Sequence, residues 1–394
     1  MKKNVVTILF LVIISALSLV FFACDNKSDN GLSASDKNVI RVGIFESADE
    51  NENSNVINEI YGIRYANSIY NSVTIGEENY HIELVEIDDE EDKDDVEKVA
   101  KRLLSENVSA VIGSGNDFKN ITASDYFEDA GIPFVVCSST NTQVTNGKMS
   151  CFRICYTNPF EATVMTVHCK NSGYKNIAIL ANEEDDNFKE LANYFEDACK
   201  KVGLNIVSNE KCSPDNISDA LQKVVNGNPQ FIYIPSDETF VTNVLTEIKN
   251  LNISFVLGGN NTWESKKVLD SVKDLGTNVI ITTFYDESVY NFENEQFING
   301  FSNYLTSIDA QDKNIYSVSA LGYDAYLTFY KAIEKAQSTN INDINSAVAN
   351  TSFLGVTGDI SFNSDCNLKN SRAVIKKISG NEITVENVIN VEES

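Results

Sequence analysis

Short β-branched apolar runs alternate along this chain with stretches whose apolar residues recur every three to four positions, the two periods that mark strands and helices. Val39–Phe45 reads as a strand, and Val56, Ile60, Ile63 and Tyr70 follow near helical spacing. A second strand is expected at His81–Ile87, carrying Ile82, Leu84, Val85 and Ile87. The acidic block Asp88–Asp95 then precedes Val96, Val99, Ala100, Leu103 and Leu104, which fall on one face of a helix. Carboxylates suit such a helix start because they face the positive end of its dipole. Ala110–Ile112, a loop at Gly113–Asp117, a helix near Ile121–Ala130 and a buried strand at Ile132–Cys137 complete a first series.

After Arg153 the pattern restarts. Strands are expected at Ile177–Leu180, Leu204–Val207, Phe231–Ile234, Phe255–Leu257 and Val279–Thr283. Helical stripes lie between them, at Phe188–Val202, Ile217–Val225 and Phe240–Ile248. Helices near Glu295–Ser307 and Tyr316–Ala336 come next, and Gly380-Asn381 between Ala373–Ile378 and Ile383–Val388 signals a hairpin. A βαβα order of this kind argues for parallel sheets covered by helices on both faces. The expected fold class is α/β, with two Rossmann-like lobes.

Composition narrows the function. The chain has 394 residues, long enough for about two to three domains at ~150 residues each. Its 31 Lys and Arg stand against 57 Asp and Glu, a net charge of -26 that repels phosphate backbones, so no nucleic-acid partner is expected. Eight cysteines include no CxxC pair, and only His81 and His168 are present, so a zinc site is not expected. The acidic block lacks the glycine and final glutamate of an EF-hand calcium loop. Neither a metal nor a cofactor is expected, and the cysteines other than Cys24 read as small buried hydrophobes.

The first residues read as a targeting device. Lys2 and Lys3 precede an apolar run, Val5–Ala23, that ends at Cys24 and turns polar. This resembles a bacterial lipoprotein signal peptide, which implies residues 1–23 as the signal, lipidation at Cys24, and 24–37 as a flexible spacer. Phe21 stands where Leu is more usual, and the competing reading is an uncleaved transmembrane helix. Either places the rest of the chain outside the cytoplasm, tethered to the membrane.

Candidate chemistry gathers after the strand at Ile132–Cys137, where Ser138, Ser139 and Thr140 sit at a sheet's edge. In open α/β sheets ligands collect beyond the carboxyl ends of the strands. Hydroxyls and free backbone N–H groups there suit a small anion, although the same residues serve equally as a helix N-cap or turn.

The order of elements, with Ile82–Asp89, Val111–Ser114, Ala130-Gly131-Ile132-Pro133, Leu257-Gly258-Gly259, Ala320–Ala325 and Asn350–Phe362, resembles the type I periplasmic binding proteins over roughly Val39–Val388. The likeness is to the leucine/isoleucine/valine-binding proteins of amino-acid ABC importers. It implies lobe 1 from residues 38–154 and 285–355, lobe 2 from 155–284 and 356–394, and crossings near Arg153–Thr157, Thr283–Asp286 and Gly355–Gly358. Ser138, Ser139 and Thr140 would then hold a ligand α-carboxylate, and Asn116 or Asp117 would supply a further contact. Asn260 stands where relatives place an acidic residue for the ligand's ammonium, followed by Asn261, Thr262 and Trp263. A neutral amide cannot neutralise a buried ammonium. Asp117, Glu46 or Asp237 supplies that charge, or the ligand is not an ordinary α-amino acid. Glu46 and Asp237 read equally as solvated loop carboxylates, and Trp263 as a rim or a packing residue.

The implied function is capture of an amino acid or related small polar solute between the lobes and its delivery to ABC permease subunits, with the membrane reached through the lipid anchor. The alternative is a ligand-sensing receptor domain signalling through a partner protein. With no Gly-rich phosphate loop, no G-x-S-x-G elbow and two histidines, no nucleophile and base can be nominated, so an enzyme is not expected.

Overall fold

The computed structural model describes residues 38–45, 55–87, 95–113 and 115–392. The signal-like segment, Cys24, Glu46, Ser114 and all but the last residue of the acidic block lie outside them.

In the first lobe the strands are β1 (Val39–Ile44), β2 (Ser72–Ile75), β3 (Glu78–Glu86), β4 (Ala110–Gly113), β5 (Phe134–Val136) and β6 (Cys151–Arg153). They form one sheet in the order β2-β3-β1-β4-β5-β6, in which β1, β4, β5 and β6 run parallel. The central apolar runs are covered on both faces, as their unbroken hydrophobicity predicts. Ile112 and Val135 pack into one core, while their neighbours Val111, Phe134 and Val136 pack into another on the opposite side. The helix Val96–Ser105 buries Val96, Val99, Ala100 and Leu103 and is capped by Asp95, whose side chain accepts from Lys98 N at 3.2 Å.

The second lobe contains β7 (Asn176–Asn182), β8 (Asn205–Cys212), β9 (Phe231–Tyr233), β10 (Val256–Gly259) and β11 (Val279–Thr283). After a short hairpin, β12 (Ser352–Leu354) with β13 (Asp359–Ser361), come β14 (Asn370–Ser379) and β15 (Glu382–Glu392). The second sheet runs β15-β14-β11-β10-β9-β7-β8, parallel from β8 to β11, with β14 and β15 added antiparallel. The Gly380-Asn381 turn joins the last two strands, with Gly380 at φ +60°.

Several elements escape the sequence pattern: β2, β6, the β12–β13 hairpin, and the helices Asn158–Asn171, Lys266–Val272 and Ile341–Ala349. Most are short, and β2 and β12 are largely accessible, so their residues carry little periodic signal, while Asn158–Asn171 is buried on most sides and shows no single apolar stripe. The helix Ser317–Ala336 crosses the helix Asn55–Ile69 at close range. A Cβ on Gly62 would lie 2.0 Å from Ser319 O, and one on Gly322 would lie 2.2 Å from Glu59 O. Two glycines thus let the backbones touch, and that contact fixes where Glu59 points from. The seven cysteines after Cys24 are all buried free thiols.

Candidate functional site

A cavity of about 650 Å³ is lined by segments that follow β4 and β5 in the first lobe and β7, β9 and β10 in the second, together with the start of the helix Asn55–Ile69. This is the crevice beyond the carboxyl ends of parallel strands, where ligand sites of open α/β sheets fall. Helix starts crowd it for the same topological reason: each right-handed crossover begins a helix just past a strand's end.

Asn116 caps the helix Asp117–Asp129 by accepting from Lys119 N at 2.9 Å. Asp185 caps the helix Asp186–Val202 by accepting from Asn187 N and Phe188 N at 2.9 and 3.2 Å. Asp237 does the same for Glu238–Asn250, accepting from Thr239 N and Phe240 N at 2.8 and 3.0 Å. All three line the cavity. One oxygen of Asp117, Oδ1, accepts from Ser139 Oγ and from Asn141 N. Burial pushes the Asp117 carboxyl up from its usual range, against the pull of those donors and of the Arg153 charge.

Of the residues expected from sequence, Ser138, Asn116, Asp117 and Asp237 line the cavity. Ser139 and Thr140 are buried and do not. Their loop is held from beneath by the fully buried Arg153, whose Nη1 donates to Ser139 O and Asn141 O at 2.9 and 2.7 Å. Asn260 is also buried; its Oδ1 accepts from Ser236 N at 3.1 Å and so ties the β9 and β10 loops together. Trp263 lies against Gly259, where an added Cβ would sit 2.2 Å from the indole ring, and its Nε1 donates to Ile234 O at 3.1 Å. Its position is one of packing. Glu46 lies outside the described residues.

Several lining residues were not anticipated. Glu59, three residues after Val56 and one before Ile60 on the buried face of its helix, accepts from Ser138 Oγ at 2.7 Å. A carboxylate on an apolar stripe was its sequence signal. Asn187 Oδ1 accepts from Asn141 Nδ2 at 3.0 Å and from Asn158 Nδ2 at 2.8 Å, so a first-lobe loop bonds directly to a second-lobe helix. Asn261, also on the wall, is held by Glu161, whose Oε1 accepts from Asn261 N at 2.9 Å and from Tyr156 OH at 3.1 Å. Thr282 Oγ1 donates to the same oxygen. Burial pushes the Glu161 carboxyl up to about 7, although these donors pull it down.

Two parallel-sheet lobes with a cavity at the facing strand ends define a two-lobed α/β binding protein. The family profile described as Periplasmic binding protein matches residues 65–377, and the chain belongs to that family. Solved structures agree on the fold. Leucine-binding protein LivK of Thermotoga maritima aligns with a TM-score of 0.77 at 23% identity, covering 89% of this chain and 98% of its own. The branched-chain amino acid transporter substrate-binding protein LivJ of Streptococcus pneumoniae, in complex with isoleucine, gives 0.76 at 19% identity, covering 90% and 99%. A solute-binding protein of an ABC transporter from Rhodopseudomonas palustris BisB5, in complex with 3,4-dihydroxybenzoic acid, gives 0.76 at 16% identity, covering 90% and 98%. No curated protein sequence matches this chain.

Proposed function

We propose that this protein is an extracytoplasmic solute-binding lipoprotein that captures an amino acid or related small polar solute between its lobes and delivers it to an ABC permease. The observation that carries the reading is the cavity itself, about 650 Å³ and lined by both lobes at the ends of their parallel strands. Family membership and the neighbours' ABC-transport roles support the permease as partner. In this reading the lobe borders are taken at crossings near Arg153–Thr157, Thr283–Asp286 and Gly355–Gly358. A ligand touching both walls favours the closed arrangement because only that arrangement completes its contacts.

Thermal unfolding of the purified protein against amino acids, amines and aromatic carboxylates tests the reading. A true ligand at ~100 times its dissociation constant adds about 2.7 kcal/mol to stability. No shift in Tm across the whole panel would remove the solute-binding assignment. Anchoring is tested separately by Cys24→Ala, expected to move the protein from the membrane fraction to the soluble one; retention in the membrane would favour an uncleaved helix.

A further inference from the structure

The hydroxyls after β5 are already committed within the protein. Ser138 gives its proton to Glu59 and Ser139 gives its own to Asp117, which also takes the N–H of Asn141. A hydroxyl has one proton to donate. A ligand carboxylate brought to this loop would find both serine hydroxyl protons already given away and two carboxylates beside them. Arg153 does not relieve this, because its guanidinium is buried behind the loop and spent on Ser139 O, Asn141 O, Asn367 Oδ1 and Thr145 Oγ1.

The charge of the whole wall points the same way. Among the described residues, no lysine, arginine or histidine lines the cavity, while Glu59 and Asp117 from the first lobe and Glu184, Asp185 and Asp237 from the second do. Asp186 and Glu238 also line the wall, with Lys189 at 2.6 Å from the first and Lys267 at 3.7 Å from the second. Helix starts oppose this field only weakly. Each helix end is worth about half a positive charge, so the five that reach the cavity offset roughly two to three of the unit charges. Among the described residues, both donors to the Asp117 carboxyl bind Oδ1 and none binds Oδ2.

Beside the acids lies a hydrocarbon face made by Val56, Ile121, Phe188, Val318 and Phe118, whose ring is 74% exposed. An aromatic face attracts a cation as well as an apolar group. Among the described residues no group of three or more His, Cys, Asp or Glu is placed to hold a metal ion, so the negative charge is spread rather than focused. We propose that the cavity takes a small organic cation, an amine or guanidine on a hydrocarbon body, with no carboxylate at the Ser138–Asn141 loop. This rests on the cleft being a solute site.

Calorimetric titration of the purified protein with matched pairs that differ by one carboxylate tests it: isoamylamine against leucine, and agmatine against arginine. At least one decarboxylated member is expected to bind ten times more tightly than its parent. Asp117→Asn, which keeps the Oδ1 acceptor, is expected to weaken that amine at least tenfold, as is Glu59→Gln, and affinity should fall with added salt. Neither amine binding more tightly than its parent would overturn the cation proposal and leave the solute-binding reading standing. Amine binding unchanged in Asp117→Asn would likewise overturn it. Absence of binding by all four compounds would overturn the cation proposal alone, since the solute-binding reading falls only if the whole panel of amino acids, amines and aromatic carboxylates gives no shift.

Discussion

The second lobe's base and the first lobe's cavity wall each hold carboxylates away from water, and they balance them differently. At the base, Lys376 is buried between Glu264 and Asp286, with its Nζ 2.9 Å from Asp286 Oδ2. Burial alone would push Lys376 down and Asp286 up. The mutual attraction wins, leaving the ammonium above its usual range and Asp286 below its own. On the cavity wall, Asp117 accepts hydrogen bonds only from a hydroxyl and an amide, and its carboxyl is pushed up. Around Lys376 the protein supplies the cation for its acids. At the cleft it does not, and a cationic ligand would complete the arrangement.

Three changes break or sharpen this contrast. The largest effect is expected from Lys376→Met, which strands the buried Glu264 and the half-buried Asp286 and should cost roughly 3 kcal/mol of stability in urea unfolding. A loss below about 1 kcal/mol would show that the lysine is not what compensates them. Next is the pH dependence carried by Glu161, which neutral donors hold beneath the wall. Its folded value, about 7, lies above the ordinary glutamate range, so the folded state holds the extra proton. Its contribution is present at low pH and is lost as pH rises toward about 7, on the order of 3 kcal/mol at ~1.4 kcal/mol per unit. Stability of the unliganded protein should therefore fall between pH 5 and pH 8, and Glu161→Gln should flatten that fall; equal slopes would contradict it. The smallest effect is Asp117→Asn. Removing a buried charge while keeping its acceptor should raise the unliganded protein's stability slightly, by less than about 1 kcal/mol, at neutral pH. A clear destabilisation would mean that Asp117 is balanced within the protein after all.

The alternating apolar runs sufficed for the sheets, because a strand covered on both faces must be apolar throughout. Ile132–Cys137 is one such run, and its three observed strand residues, Phe134, Val135 and Val136, are fully buried. The same pattern pointed to Ser138, at the end of a predicted strand, while Asn116, Asp117 and Asp237 were named through the family resemblance; all four line the cavity. Glu59 was harder to find because it comes from a helix, brought to the wall by a glycine-mediated crossing with a helix more than 250 residues later in the chain.

What the sequence determined by itself was the α/β alternation, the net charge of -26 and the place of the ligand crevice, all local or additive properties. The direction in which the Ser138 and Ser139 protons point was decided only by the tertiary structure. A hydroxyl donates to whichever acceptor lies within reach, and here the acceptors, Glu59 and Asp117, are delivered by other elements. A loop that reads alone as an anion holder thereby becomes part of an acidic wall.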